Sequence, residues 1–175
     1  MNLYIMRHAN AGTPRENATL DRKRGLIKEG KEQCLQVAGV LNALNLQFDL
    51  VASSPLKRAL QTAQLVATEV GYEQPMLVTE ALSPEAKTAD FERLIEEYKL
   101  MENVLLVGHN PNLQAFLTQL IAREGKANVR LRKAGVARVD LSRRPSTLNW
   151  LLDPRMVRAL YRSATKSSRR KTSRK

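Results

Sequence analysis

Short and almost uninterrupted apolar runs recur along this chain, and the segments between them place apolar residues at helical spacing. The clearest runs are residues 2–6 (NLYIM), 48–54 (FDLVASS) and 103–108 (NVLLVG). Such runs are typical of strands that are buried on both faces, because neither side-chain direction meets water. Strands that alternate with helices predict an α/β fold, here a single three-layer α/β/α domain over residues 1–160 with a mostly parallel central sheet.

The remaining segments continue this alternation. Helices are predicted over residues 28–45, 56–71, 88–99 and 112–124, and further strands over residues 76–82, 136–141 and 148–154. Residues 10–27 are polar and rich in turn formers, so we expect a long loop that lies over a site. Pro55, with Ser54 as the cap, is predicted in the first turn of the second helix.

The charge of the chain is strongly basic. Lys and Arg number 29 against 17 Asp and Glu, for a formal net charge of +12. Much of it follows Ser163, where no acid interrupts the basic residues, so we predict a disordered basic tail over residues 163–175. Weak contact of this tail with nucleic acid or an anionic surface is the alternative. The rest of the chain is moderately basic, which favours anionic substrates.

Several classes of protein are disfavoured by the composition. Aromatic residues make up only 5% of the chain, which argues against a stacking surface for single-stranded nucleic acid. The sequence contains no run of about 18 apolar residues, which a membrane-spanning helix would need. The first residues lack the features of a signal peptide. We therefore expect a cytoplasmic protein without membrane contact. The single cysteine, Cys34, lies in a helical pattern and is predicted to be a core or near-core residue.

The chain contains only two histidines, and each directly follows an apolar run. His8 comes after the first strand, next to Arg7, and His109 comes after the strand at 103–108. The carboxyl ends of parallel strands meet at one edge of the sheet, where ligands bind, so both should lie there. Arg58 is one helical turn past Pro55 and can face the same edge, whereas Lys57 is more simply a solvated residue.

Two imidazoles and two guanidiniums are well matched to a phosphoryl group. Guanidinium groups recognise phosphate oxygens with several donors, a neutral imidazole can attack phosphorus, and a protonated one can donate to an oxygen. Phosphoryl transfer mainly requires positioning and neutralisation of charge. No carboxylate stands at ligand spacing around either histidine, so we predict neither a metal site nor a cofactor.

Three sequence blocks resemble the histidine phosphatase superfamily: RH at 7–8, SSPLKRALQTA at 53–63 and VGHNP at 107–111. RHA, DRKRGLIKEG, TEALSPEA and LNWLLDPR are similar to its SixA-type phosphohistidine phosphatases. The resemblance implies a phosphoglycerate mutase-like fold without a large cap insertion, and removal of phosphate from a phosphohistidine on a partner protein in signal transduction. It implies that His8 is the nucleophile and that Arg7, Arg58 and His109 bind the phosphoryl oxygens.

One feature of larger superfamily members, a carboxylic general acid after the third strand, has no clear counterpart here. Glu80 and Glu85 flank the expected position and are more simply surface carboxylates, while Asp21 is more simply an ion-pair or turn residue. A phosphohistidine departs as neutral imidazole, with a conjugate-acid pKa of about 6.5, and needs little help from an acid. This favours phosphohistidine over the alternative, a small phosphate monoester. A nucleic-acid-associated binding protein is a further alternative.

Overall fold

The computed structural model of this protein describes residues 1–122 and 127–172. Its centre is a six-stranded sheet with the strand order β3-β2-β4-β1-β5-β6. The strands in chain order are β1 (Asn2–Arg7), β2 (Leu50–Ser53), β3 (Leu77–Val78), β4 (Asn103–Gly108), β5 (Val136–Asp140) and β6 (Thr147–Leu152). The apolar runs of the sequence form β1, β2 and β4, the central part of the sheet.

The strand directions bring four chain segments to one edge of the sheet. β4 pairs in parallel with both β1 and β2, and Arg7 lies opposite Gly108 in the register. β5 runs antiparallel to β1, with Met6 opposite Val136. The carboxyl ends of β1, β2 and β4 therefore share an edge with the amino end of β5. We call this edge the catalytic edge.

Helices cover both faces of the sheet, as the α/β/α prediction requires. They are α1 (Ala18–Arg22), α2 (Lys28–Ala43), α3 (Lys57–Glu69), α4 (Thr88–Glu97), α5 (Asn112–Ile121) and α6 (Pro154–Thr172). Two apolar clusters fill the layers, one containing residues of α2 and α3 and the other containing residues of α4 and α5. Rings pack in both clusters: Tyr4 lies edge-on to Phe48, and Phe91 stacks on Phe116. No described helix is long and apolar enough to cross a membrane.

Two predicted elements differ in extent. β3 covers only Leu77–Val78, and the rest of the predicted strand at 76–82 is a turn of 3-10 helix, Glu80–Leu82. The Thr79 hydroxyl accepts a hydrogen bond from the Ala81 amide, which favours a helical start over a continued strand. The long loop at 10–27 contains the short helix α1, which the Asn17 side chain caps.

The ends of two helices also differ from prediction. α3 begins at Lys57 rather than at Pro55, because Ser54 Oγ accepts from the Leu56 amide and forms a turn before the helix. α6 was missed: it begins at Pro154, where Asp153 accepts from the Arg155 amide at 2.9 Å. It continues to Thr172, through most of the segment that the sequence predicts to be a disordered tail. Residues 173–175 lie outside the described part.

Candidate active site

The two histidines lie side by side at the catalytic edge. His8 follows β1 and His109 follows β4, and the parallel register of these neighbouring strands places them next to each other. Their ring centroids are 5.0 Å apart with an angle of 52° between the planes. Both side chains are buried. The sequence prediction that they share one edge of the sheet agrees with this arrangement.

The surroundings of His8 leave one ring nitrogen suited to nucleophilic attack. Nδ1 lies 2.8 Å from the Ala9 carbonyl, which can only accept, so this contact assigns the proton to Nδ1 and the lone pair to Nε2. Burial lowers the pKa of His8 to about 3, and the nearby charges of Arg58, Arg7 and Lys133 act in the same direction. The imidazole is therefore neutral at neutral pH.

His109 is held by the end of β2. Its Nε2 lies 2.9 Å from Ser54 Oγ, and its Nδ1 is buried without a hydrogen-bond partner in the described chain. Burial is the main cause that lowers the pKa of His109 to about 2, and the nearby His8, Arg58 and Arg7 lower it further. A neutral His109 that accepts at Nε2 from the Ser54 hydroxyl carries its proton on Nδ1. It can then donate from Nδ1 to an anionic oxygen.

Arg58 lies in the first turn of α3 and is tied to the loop that covers the site. Its Nη1 donates to the backbone carbonyl of Asp21 at 3.0 Å and to Asp21 Oδ2 at 3.2 Å. Asp21 also accepts from Arg24 Nε at 2.7 Å, and the hydrogen bonds from Arg24 and from the Arg15 amide lower its pKa to about 2. Asp21 is thus an ionised partner of Arg58, in line with the ion-pair role expected from the sequence.

Arg7 completes the cluster. Its Nη1 donates to the Leu131 carbonyl at 3.3 Å, and burial lowers its pKa. Arg7 Nε and Arg58 Nε, like His109 Nδ1, are buried atoms without hydrogen-bond partners among the described residues. Leaving a buried donor unpaired costs about 1–3 kcal/mol, and more for a charged group. Three of the four predicted site residues therefore have an unpaired nitrogen that an oxyanion can satisfy.

The structure adds two residues that the sequence did not single out, Thr62 and Lys133. Thr62 accepts from the Ala9 amide at 3.0 Å and donates to the Arg58 carbonyl at 2.7 Å, so it joins β1 to α3. Lys133 precedes β5, and its Nζ donates to Asn10 Oδ1 at 3.1 Å. A lysine is visible in the sequence, but its nearness to His8 depends on the antiparallel direction of β5.

The candidate acids lie at the rim. Glu80 and Glu85 retain 69% and 72% of their side-chain exposure and contact Arg22 at 3.3 Å and 4.0 Å. Both are thus surface carboxylates, the role that the sequence favoured for them. Within residues 1–122 and 127–172, no group of three or more His, Cys, Asp or Glu is placed to hold a metal ion. Cys34 is a buried core residue whose pKa burial raises to about 12.

Residues 3–99 match the family model described as histidine phosphatase superfamily, branch 1. This chain belongs to that superfamily. An uncharacterised protein of Picosynechococcus sp. is 30% identical over 138 residues, which cover 78% of this chain and 82% of that protein. The match therefore extends over most of both chains.

Solved structures with the same fold include two SixA proteins. The protein histidine phosphatase SixA complexed with tungstate matches with a TM-score of 0.77, 24% identity, and coverage of 88% of this chain and 97% of its own. The putative phosphohistidine phosphatase SixA from Agrobacterium tumefaciens matches with a TM-score of 0.72 and 26% identity, and the match covers 87% of this chain and 98% of that one. A putative alpha-ribazole-5'-P phosphatase from Escherichia coli K-12 matches with a TM-score of 0.70 and 20% identity, and the match covers 88% of this chain and 97% of that one. The chain is therefore SixA-like, and the phosphoglycerate mutase-like fold is confirmed.

Proposed function

We propose that this member of a phosphatase superfamily removes phosphate from a phosphohistidine on another protein, in histidine-based signal transduction. His8 Nε2 attacks phosphorus, and the bond from phosphorus to the substrate imidazole breaks. With its other nitrogen protonated, that imidazole leaves as a neutral ring. Water then cleaves the phosphorus–nitrogen bond on His8, inorganic phosphate leaves, and the proton from water passes to solvent.

The observation that carries this proposal is the group of unpaired buried donors around a neutral nucleophile. Arg7 Nε, Arg58 Nε and His109 Nδ1 have no described partners, and the charges of both arginines act on both histidines. A PO₃ group at His8 Nε2 supplies oxygens that can accept from such donors. Preorganised donors of this kind stabilise the charge that a transferring phosphoryl group spreads over its oxygens.

The state of the carboxylates supports phosphohistidine over a phosphate ester. An alkoxide leaving group needs a proton, and general acid catalysis contributes about 10²–10⁴-fold. Asp21 is ionised, and Glu80 and Glu85 are exposed and paired with Arg22. Asp21 therefore has no proton to donate, and the exposed Glu80 and Glu85 are not enclosed in the site. A phosphohistidine has a leaving group that does not require an acid.

A small phosphorylated metabolite is the second candidate substrate. Its support is the position of Glu80 in a 3-10 turn that touches the end of β4: a Cβ on Gly108 would lie 2.9 Å from the Leu82 carbonyl oxygen. This arrangement serves an ester leaving group if Glu80 is the proton donor.

The decisive experiment compares a histidine-phosphorylated phosphotransfer domain with an alkyl phosphate monoester such as O-phosphoserine, whose alkoxide leaving group needs a proton. We expect the phosphoprotein to have a kcat/KM at least 10²-fold higher, because the ester lacks a proton donor. Acid-quenched and alkali-quenched samples should show enzyme-bound phosphate that survives only in alkali, and His8→Ala should show none. Faster hydrolysis of the ester would overturn the proposed substrate.

A matched pair of variants separates the two substrates. Glu80→Gln should change turnover of the phosphodomain by less than about tenfold, because that leaving group needs no acid. Glu85→Gln is the control, since Glu85 has similar exposure and the same partner, Arg22. A loss of about 10²-fold or more in Glu80→Gln alone would identify Glu80 as the general acid and favour the metabolite.

A further inference from the structure

A basic cleft of about 360 Å³ opens beside the two histidines. Arg7 and Asn110, the sequence neighbours of His8 and His109, are among its lining residues, so the cleft adjoins the catalytic edge. Its other cationic lining residues are Arg130, Arg132, Lys133 and Arg155, and none of its described lining residues is acidic. Of these five cations, Arg7 belongs to the phosphoryl site and Lys133 lies near His8, which leaves Arg130, Arg132 and Arg155 outside that site.

The cleft stays strongly positive after its internal pairing is considered. Asp153 contacts Arg132 at 3.3 Å and Arg155 at 2.8 Å, so one carboxylate serves two guanidiniums. Arg130 and Lys133 have no ion pair among the described residues, and the Lys133 ammonium donates to the neutral Asn10 side chain. Like charges this close repel one another, and an anionic ligand relieves that repulsion.

The distribution of the charges indicates the kind of ligand. Arg130 is exposed, Arg155 keeps 68% of its side-chain exposure, and they come from different elements, the segment before β5 and the start of α6. A clamp for a second phosphate would have cations that converge on one point. These cations form a broad rim instead. A rim of exposed charge attracts an oppositely charged protein surface and orients it on approach.

We infer that this cleft is a docking site for acidic side chains that surround the phosphohistidine on the substrate protein. The inference rests on the proposed function and specifies its partner as a phosphoprotein with an acidic surface next to the modified histidine. Arg130, Lys133 and Arg155 attract that surface. Arg7 lies at the junction, where the docked surface ends and the phosphoryl group begins.

The test uses two substrates and a charge reversal. The substrates are free N-phosphohistidine and a histidine-phosphorylated phosphotransfer domain with carboxylates around its histidine. In Arg130→Glu and in Arg155→Glu, the ratio of kcat/KM for the domain to kcat/KM for free phosphohistidine should fall about tenfold at low salt. The fall should shrink in high salt and vanish when the carboxylates of the domain are changed to amides.

The control is Arg143→Glu. Arg143 is exposed and lies in the turn between β5 and β6, at the opposite edge of the sheet, so this variant has the same charge change away from the cleft. It should leave the ratio within twofold of the original. An unchanged ratio in Arg130→Glu and Arg155→Glu, or an equal fall in Arg143→Glu, would overturn the docking site.

A binding measurement keeps this result separate from the proposed function. Failure of the unaltered enzyme to hydrolyse either substrate refutes the phosphohistidine proposal. Docking is then read from the affinity of the His8→Ala protein for the same phosphorylated domain, by fluorescence anisotropy at two salt concentrations. The double variant His8→Ala, Arg130→Glu should bind the domain about tenfold more weakly than His8→Ala at low salt. Equal affinity of the two proteins would refute docking.

Discussion

The two buried histidines should make the stability of this protein depend on pH in a window where little else titrates. The perturbation is acidification from pH 7.5 to pH 5. His8 and His109 have pKa values of about 3 and about 2 in the folded protein against 6.5 normally, and the chain has no other histidine. Below pH 6.5 the unfolded chain binds more protons than the folded one, so the free energy of unfolding falls as the pH falls.

The magnitude follows from these pKa values. At pH 5 an unfolded histidine with a normal pKa gains about 2 kcal/mol by protonation, and the folded protein gains almost none. The charge of one ring also lowers the pKa of the other, so the sum over both is an upper bound. We expect a loss of about 2–4 kcal/mol, a large share of the 5–15 kcal/mol typical of a domain. Asp21, with its pKa lowered to about 2, loses its stabilising contribution only in more acidic solution.

The assay is urea unfolding at pH 7.5, 6 and 5, with His8→Asn as the comparison. His8→Asn removes one of the two titrating rings, so its loss of stability between pH 7.5 and 5 should be about half that of the unaltered protein. Tungstate or phosphate should reduce the loss, because a bound anion favours protonated imidazole. A free energy of unfolding that stays constant over this window would show that the folded histidines take up protons as readily as the unfolded ones, and would contradict the lowered pKa values.

Three other perturbations address the site and its frame. Arg58→Ala should lose about 2.7–4 kcal/mol of transition-state stabilisation, which corresponds to a fall of about 10²–10³ in kcat. A fall of less than tenfold in a turnover assay would contradict a contact between Arg58 and the phosphoryl group. Gly30→Ala should destabilise the fold by about 1–3 kcal/mol in urea unfolding, because its Cβ would lie 2.0 Å from the Asn10 carbonyl oxygen; unchanged stability would contradict that packing. Chelators should leave turnover unchanged, and restoration by added metal would contradict a site made of imidazoles and guanidiniums alone.

The central strands of the fold and the shared edge of the two histidines follow from the sequence for one reason. Parallel strands buried on both faces are continuous apolar runs, and the residue after each run must lie at the carboxyl edge. His8 and His109 satisfy that rule directly. The ring distance of 5.0 Å is its consequence, because β1 and β4 are neighbours in register.

Other features depend on geometry that a single sequence does not encode in its pattern. Lys133 reaches the histidines because β5 runs antiparallel, so that residues before this strand, and not after it, return to the catalytic edge. The basic cleft likewise needs α6 to begin beside that segment. The start of α6 was a missed signal: Asp153 followed by Pro154 is a standard cap and first-turn pair. The short β3 was overpredicted because Thr79 redirects the backbone.

The position of β1 has a consequence for the life of the chain during synthesis. β1 is synthesised before both of its partner strands, and it pairs with β4 through Asn2 and Asn103 and with β5 through Ile5 and Ala137. Both partners are about a hundred residues or more away, and contacts of such separation form late. A nascent chain thus contains His8 long before β5 emerges to pair with the strand that precedes it. A chain that ends before β5 contains both histidines and both arginines of the cluster but lacks the strand that pairs with β1 beside them.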